Sequence, residues 1–339
     1  MPVARKPVPT AVEVPTIPGT ERLSPSRPRR PGTLPPGREM LFWSATTPNI
    51  DPHYSEDLFG VMPRTGVVRR LTDDDASDRD PDWGPRRRRI VSMRGDGADP
   101  PYLTIRDRAG TLIRTIDVPA SQPIWTAAFG ILACVWGTGD RTDIACIGMT
   151  GQVRNVTAAQ PGENLYSPAW HPTAGLLATL DTSNMSTSST QLVHATAVAV
   201  TTAITTGTPI PVSAMTPLGA AGSSNSSGSS WSPDGLRIAY VTPRPCATTQ
   251  AGVPINQLDI AIMSLASGPV QLITDDSAGT YDDGLNDDSP VFSPDGQWLA
   301  WCRGYEDGWA QIILQRLDNP SSRRVLVADT HRYRAGLCW

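Results

Sequence analysis

A chain of 339 residues is long enough for two ordinary domains, but a sequence unit repeated from residue 39 to 339 argues for a single ring instead. The net charge of −4 gives no general affinity for nucleic acid, and no run of 18 apolar residues exists to cross a membrane as a helix. Of 29 basic residues only Lys6 is lysine, a bias that speaks of a GC-rich genome and not of mechanism.

Residues 1–38 are Pro-rich and basic. Their prolines break helices and remove ladder donors, so the segment reads as an extended arm. Arg5, Lys6, Arg22, Arg27, Arg29 and Arg30 make it a candidate partner-binding arm. No apolar stretch follows the first basic residues, so a Sec signal peptide is not expected.

The repeat begins with half a copy, Met40-Leu41-Phe42-Trp43-Ser44. Residues 57–62 and 67–72 then read as strand, turn, strand, followed by the acidic loop 73–80. An aromatic anchor followed seven positions later by an aliphatic residue recurs at Trp83, Trp125 and Trp170. Arg86 to Arg89 form a basic run at the first of these turns. A low-charge insertion spans Asp181 to Ser230, and its alternating portion from Gln191 to Ile204 is expected to complete outer strands.

The fullest copy is Trp231-Ser232-Pro233-Asp234-Gly235-Leu236-Arg237-Ile238-Ala239-Tyr240, and Phe292 opens a second one with the same Ser-Pro-Asp-Gly turn. Proline presets φ, Asp suits the bridge region and Gly supplies the positive φ that closes a hairpin. Asp259-Ile260 to Leu272-Ile273-Thr274 repeats the second strand pair, and the acidic loop Asp275 to Asp288 follows. Trp339 opens a copy that has no second half. The anchors Trp83, Trp125, Trp170, Trp231, Phe292 and Trp339 are spaced 42, 45, 61, 61 and 47 residues apart, against a blade period of roughly 40 to 50. Four strands per repeat give an all-β, six-bladed propeller over 39–339, with its last blade joined from both ends of the chain.

The unit Asp-Ile … Leu-Thr … Trp-Ser-Pro-Asp-Gly-x-x-Ile-Ala resembles the TolB-type, WD-repeat-like propeller repeat. The resemblance implies the ring fold but leaves function open, because such propellers serve as binding scaffolds, as accessory domains of peptidases and as enzymes.

His53, His171, His194 and His331 stand apart without metal-ligand spacing, and no nucleophile elbow or phosphate loop occurs. The five cysteines read as reduced core residues, and the sequence leaves open whether Cys134 and Cys146 pair. Asp282, Asp283, Asp287 and Asp288 offer oxygen ligands for Ca²⁺ without the EF-hand spacing; otherwise no cofactor is expected. The leading expectation is a non-enzymatic interaction scaffold, a subunit of a larger assembly such as a bacteriophage virion or tail, in virion or cytoplasm. It would bind protein subunits through the arm and one propeller face. A Ca²⁺-dependent lactonase-like hydrolase and a TolB-like envelope accessory are the alternatives.

Overall fold

The computed structural model describes residues 38–46, 56–95, 100–136, 141–182, 190–219, 228–248, 254–265, 269–274, 286–304, 310–329 and 332–339. The arm residues Arg5, Lys6, Arg22, Arg27, Arg29 and Arg30 lie outside them, as do Asp282, Asp283, His53 and His331.

The Ser-Pro-Asp-Gly turn closes on side chains as much as on backbone. The Ser232 hydroxyl donates to Asp234 Oδ1 at 2.5 Å and accepts the Arg237 amide at 2.9 Å. The Gly235 amide donates to the Ser232 carbonyl at 2.8 Å, with Gly235 at φ +69°. Ser293, Asp295 and Gly296 repeat this geometry, with Gly296 at φ +66°. Both turns deliver an antiparallel pair, Trp231↔Ile238 and Phe292↔Leu299. After Trp125, where the sequence offers no proline, Thr126 takes over. Its hydroxyl accepts the Phe129 amide at 3.0 Å and donates to the Gly130 carbonyl at 3.1 Å.

The second strand pair carries its own buried clasp, made three times by the Asp and Thr of the repeat. Thr72 Oγ1 accepts the Leu58 amide at 2.9 Å and donates to Asp57 at 3.1 Å. Thr157 does the same for Ile144 and Asp143, and Thr274 for Ile260 and Asp259. Each buried hydroxyl thereby satisfies one orphan amide and one carboxylate, worth about 1 kcal/mol per bond.

These strands build an all-β, propeller-like fold. Strand Arg332–Cys338 pairs with Met40–Thr46, which pairs with Glu56–Val61 and then Val68–Arg70, so one sheet joins the two ends of the described chain. Ser77–Trp83, Arg89–Gly95, Tyr102–Asp107 and Leu112–Ile116 form a second sheet. Two more begin at Ser229–Trp231 and Asn286–Phe292.

Six separate sheets were expected, whereas four of the hydrogen-bonded sheets are independent four-stranded units. The strands from Ala120 to Leu218 instead join in one eight-stranded sheet, with a two-stranded parallel pair beside it. A single parallel bridge, Thr142↔Asn164, makes the junction, and the Thr142 hydroxyl donates to Asn164 Oδ1 at 3.1 Å.

The alternating run after Gln191 is a strand only to Thr196. Ala197–Thr206 is an α-helix, capped by Thr196 Oγ1 on the Ala199 amide and ended by left-handed Gly207. Its alanines favour helix, and Val200 and Ala203 bury one face of it. Cys134 and Cys146 are free: in the strand register Cys134 faces Ile144 and Cys146 faces Leu132.

Candidate functional site

The innermost strands Ser77–Trp83, Ala120–Thr126, Asn164–His171, Ser229–Trp231, Asn286–Phe292 and Arg332–Cys338 each pack on the next, and the last packs on the first. Together they line one cavity of about 700 Å³. All of the anchors, Trp83, Trp125, Trp170, Trp231, Phe292 and Trp339, border it.

Three positions before each anchor stands a residue in the left-handed region: Asp80 (φ +50°), Gln122 (+49°), Ser167 (+49°), Gly228 (+113°), Ser289 (+50°) and Gly336 (+64°). Five of the strands slip register at these points, as β-bulges do. Non-glycine residues are rare at such φ, so something must hold them there. At Gln122 and Ser167 the neighbouring bulge supplies it. Asp80 accepts the Gln122 amide, Gln122 Oε1 accepts the Ser167 amide at 2.7 Å, and Ser289 Oγ accepts the Gly336 amide at 3.1 Å. The bulge side chain of one strand thus pins the bulge backbone of the next. At Gly336 only glycine fits, since a Cβ would lie 2.8 Å from Trp43 and 3.3 Å from Asp80 Oδ1.

Three half-buried carboxyl groups face this cavity. Asp82 accepts the Trp125 amide at 2.5 Å and the Cys338 thiol at 2.7 Å. Burial pushes its pKa up to about 6, against those bonds and the charge of Arg87. Burial likewise lifts Asp80 to about 6, with Glu56 adding to the rise and Arg79, Trp43 and the Gln122 amide opposing it. Asp288 reaches about 7 through burial and the neighbouring Asp287, opposed by a hydrogen bond with Ser289. Among the described residues its Oδ1 is buried without a hydrogen-bond partner, as are Ser229 Oγ, Ser230 Oγ and the indole N–H groups of Trp231 and Trp339, all on residues lining the cavity. The Cys338 thiol is pushed up by burial and by Asp82, which favours the thiol donor over the thiolate nucleophile.

The sequence candidates are dispersed among these roles. Asp287 is spent on Arg303, at 2.8 Å through both oxygens, and on the Trp301 indole at 3.0 Å, so it and Asp288 do not act as a ligand pair. Among the described residues no group of three or more His, Cys, Asp or Glu could hold a metal ion. In the loop 73–80, Asp73 pairs with Arg70, Asp74 with Arg94, and Asp78 with Arg94 and Arg106; only Asp80 reaches the cavity. His171 Nδ1 accepts the Ala174 amide at 3.2 Å, which leaves Nε2 as donor to the Pro233 carbonyl at 3.2 Å across to the next hairpin. His194 donates to the Ala174 carbonyl at 2.8 Å and meets Trp231 edge-on. The ring of left-handed residues was missed in the sequence, although a fixed offset of three before each aromatic marks it.

No family profile matches the chain. A 107-residue stretch is 36% identical to dipeptidyl-peptidase 5 of Porphyromonas gingivalis, covering 31% of this chain and 14% of that protein, so most of the peptidase has no counterpart in the match. Among solved structures, TolB from Acinetobacter baumannii aligns with a TM-score of 0.59 at 17% identity, over 88% of this chain and 66% of that one. A TolB-type protein from Agrobacterium tumefaciens aligns at 0.56 and 15% identity, over 88% of this chain and 99% of that one. At such identities the likeness establishes the fold, a TolB-like β-propeller.

Proposed function

We propose that the chain is a non-catalytic, six-bladed propeller that docks a partner protein at the mouth of its central cavity, as one component of a larger assembly. The observation that carries this reading is the ring of left-handed residues. Its sixfold recurrence and the cyclic packing of the strands favour six blades, the eight-stranded sheet being two blades bridged at Thr142 and Asn164. Several of the polar groups at the cavity are tied into the ring itself: Asp82 to Trp125 and Cys338, Gln122 to Ser167, and His171 to Pro233. What they build is a rigid, aromatic-edged concavity, the kind of preformed pocket that takes an anchoring side chain at low entropic cost. The Ca²⁺-dependent hydrolase has less support, because Asp287 is committed to Arg303. A virion setting forms no part of the proposal.

The test fills the cavity. Ser230 lines it and is not itself a bulge residue, so Ser230→Trp places an indole in the cavity. Tagged wild-type and variant proteins are purified from the native source and their co-purifying chains identified by mass spectrometry. A stoichiometric partner lost from a folded variant supports the docking site; an identical set on both, or no partner on either, overturns it.

A further inference from the structure

The hairpin Gly84–Arg89 breaks the rules its counterparts follow. Arg86 and Arg87 are both left-handed, at φ +59° and +54°, in a short 3₁₀ turn with no glycine at either position. Side chains rarely adopt this conformation, and two in succession form a strained feature of the kind that clusters at functional positions.

The charges around it are as unusual as the backbone. Arg38, Arg86, Arg88, Arg89 and Arg108 are exposed, and no carboxylate pairs with any of them among the described residues. The nearby acids are committed elsewhere. Glu39 is held by Arg69 through both oxygens, and Asp107, opposite Arg89 in the register, is capped by the Ala109 and Thr111 amides. Arg87 is drawn inward onto the Trp83 ring, 4.5 Å from its centroid, with a hydrogen bond to the Glu39 carbonyl. Burial first, and then the charges of Arg38 and Arg108, push its pKa down. Arg38 and Arg87 also line the central cavity, so the cationic surface runs into the aromatic mouth.

We infer that this arginine hairpin is the recognition surface for an acidic segment of a partner protein, whose neighbouring apolar side chain enters the cavity. The inference rests on the docking proposal and adds the partner's chemistry. A protein segment fits better than nucleic acid, because the patch is confined to one sector of a chain with net charge −4 and adjoins an apolar-edged pocket.

The probe is a fluorescein-labelled peptide of one Trp and ten Glu, followed by anisotropy against the full chain in parallel with a ten-residue oligothymidylate. Three proteins are compared: wild type, Arg86→Glu/Arg88→Glu/Arg89→Glu, and Arg64→Glu/Arg114→Glu/Arg154→Glu. The last makes the same change in net charge at exposed sites away from the hairpin. The expected result is that the hairpin variant binds the peptide at least tenfold more weakly than both other proteins, and that wild type prefers peptide to oligonucleotide. A smaller difference, equal loss in both variants, or preference for the oligonucleotide overturns the inference. A misfolded hairpin variant, detected by circular dichroism, is replaced by Arg86→Gln/Arg88→Gln/Arg89→Gln under the same threshold. Partner capture that depends on Ser230 but not on the hairpin arginines would sink this inference alone, leaving the docking site intact.

Discussion

The hairpin after Trp231 and the hairpin after Trp83 hold the same place in the repeat and share the same backbone bonds, but their side chains support the turn by different means. In the first, Ser232, Pro233, Asp234 and Gly235 each supply what the turn needs, and the bonds that close it are local, with His171 reaching the Pro233 carbonyl from the neighbouring hairpin. In the second, Pro85 is retained, but Gly84 lies before the turn, at φ −68°, and two arginines adopt the left-handed conformation instead. The Trp83 hairpin keeps the backbone bonds, Gly84 amide to Arg89 carbonyl and Arg87 amide to Gly84 carbonyl at 2.9 Å, but in place of the Ser and Asp side-chain bonds it has Arg87 stacked on the Trp83 ring and bonded to the distant Glu39 carbonyl. A repeat can thus lose its turn residues where tertiary contacts replace them, and the places where local chemistry is violated are the candidates for function.

The largest expected effect tests how much of the Trp231 hairpin is truly local. A Cβ on Gly235 would sit 2.7 Å from the His171 imidazole, whereas on Gly296, in the matching turn, its nearest neighbour is Pro233 Cδ at 3.4 Å. Both substitutions place alanine at positive φ, a cost of about 1–2 kcal/mol. Gly235→Ala must also displace His171 from Pro233, so a total near 3 kcal/mol is expected from chemical denaturation, with Gly296→Ala at about 1–2 kcal/mol. Equal losses would mean that His171 does not tie the two hairpins together.

Most of this ring was legible in the sequence. The Ser-Pro-Asp-Gly turns, the second strand pair of each repeat and the joining of Met40 to the C-terminal strand all follow from residues whose bonds lie within one sheet. What could not be read depends on neighbours across repeats. The bulge at Gln122 is stable because it accepts the Ser167 amide, a contact 45 residues away. The helix at Ala197 won over an alternating strand because Thr196 and Gly207 cap it, a signal that alternation hides. Asp288 was readable as an acidic loop residue, but its place at the cavity was not.

The carboxyl groups extend the comparison to the two sectors. Asp80, beside the arginine hairpin, has the Gln122 amide, Trp43 and Arg79 to stabilise its charge; Asp288, beside the Ser-Pro-Asp-Gly sector, has Ser289, and its Oδ1 is unpartnered. A carboxyl whose pKa rises from 3.8 to about 7 on folding binds more protons folded than unfolded across that interval. Its contribution to stability is therefore fully present below pH 4 and is lost as pH climbs to 7. Asp288→Asn removes the titration, so the variant should match wild type near pH 4 and exceed it above pH 7 by on the order of 1–2 kcal/mol, discounted for partial exposure. Asp80→Asn should gain less. Equal gains would show that the sectors do not differ in how they hold charge.

The smallest effect separates strain from function within the arginine hairpin. Arg86 is exposed and makes no hydrogen bond or ion pair among the described residues, so Arg86→Gly relieves a left-handed side chain and loses only a surface charge. After the entropic cost of glycine, a gain of about 0.5–1 kcal/mol remains. Arg87→Gly relieves the same conformation but forfeits the stacking on Trp83 and the bond to Glu39, so it should fall below wild type. Thermal melts should rank Arg86→Gly first, wild type second and Arg87→Gly last. That order would mean Arg87 anchors the turn while Arg86 is kept left-handed at a net cost to the fold, as a residue retained for binding would be. Were Arg86→Gly to destabilise instead, the left-handed arginine would itself support the hairpin, and its conformation would carry no information about a partner.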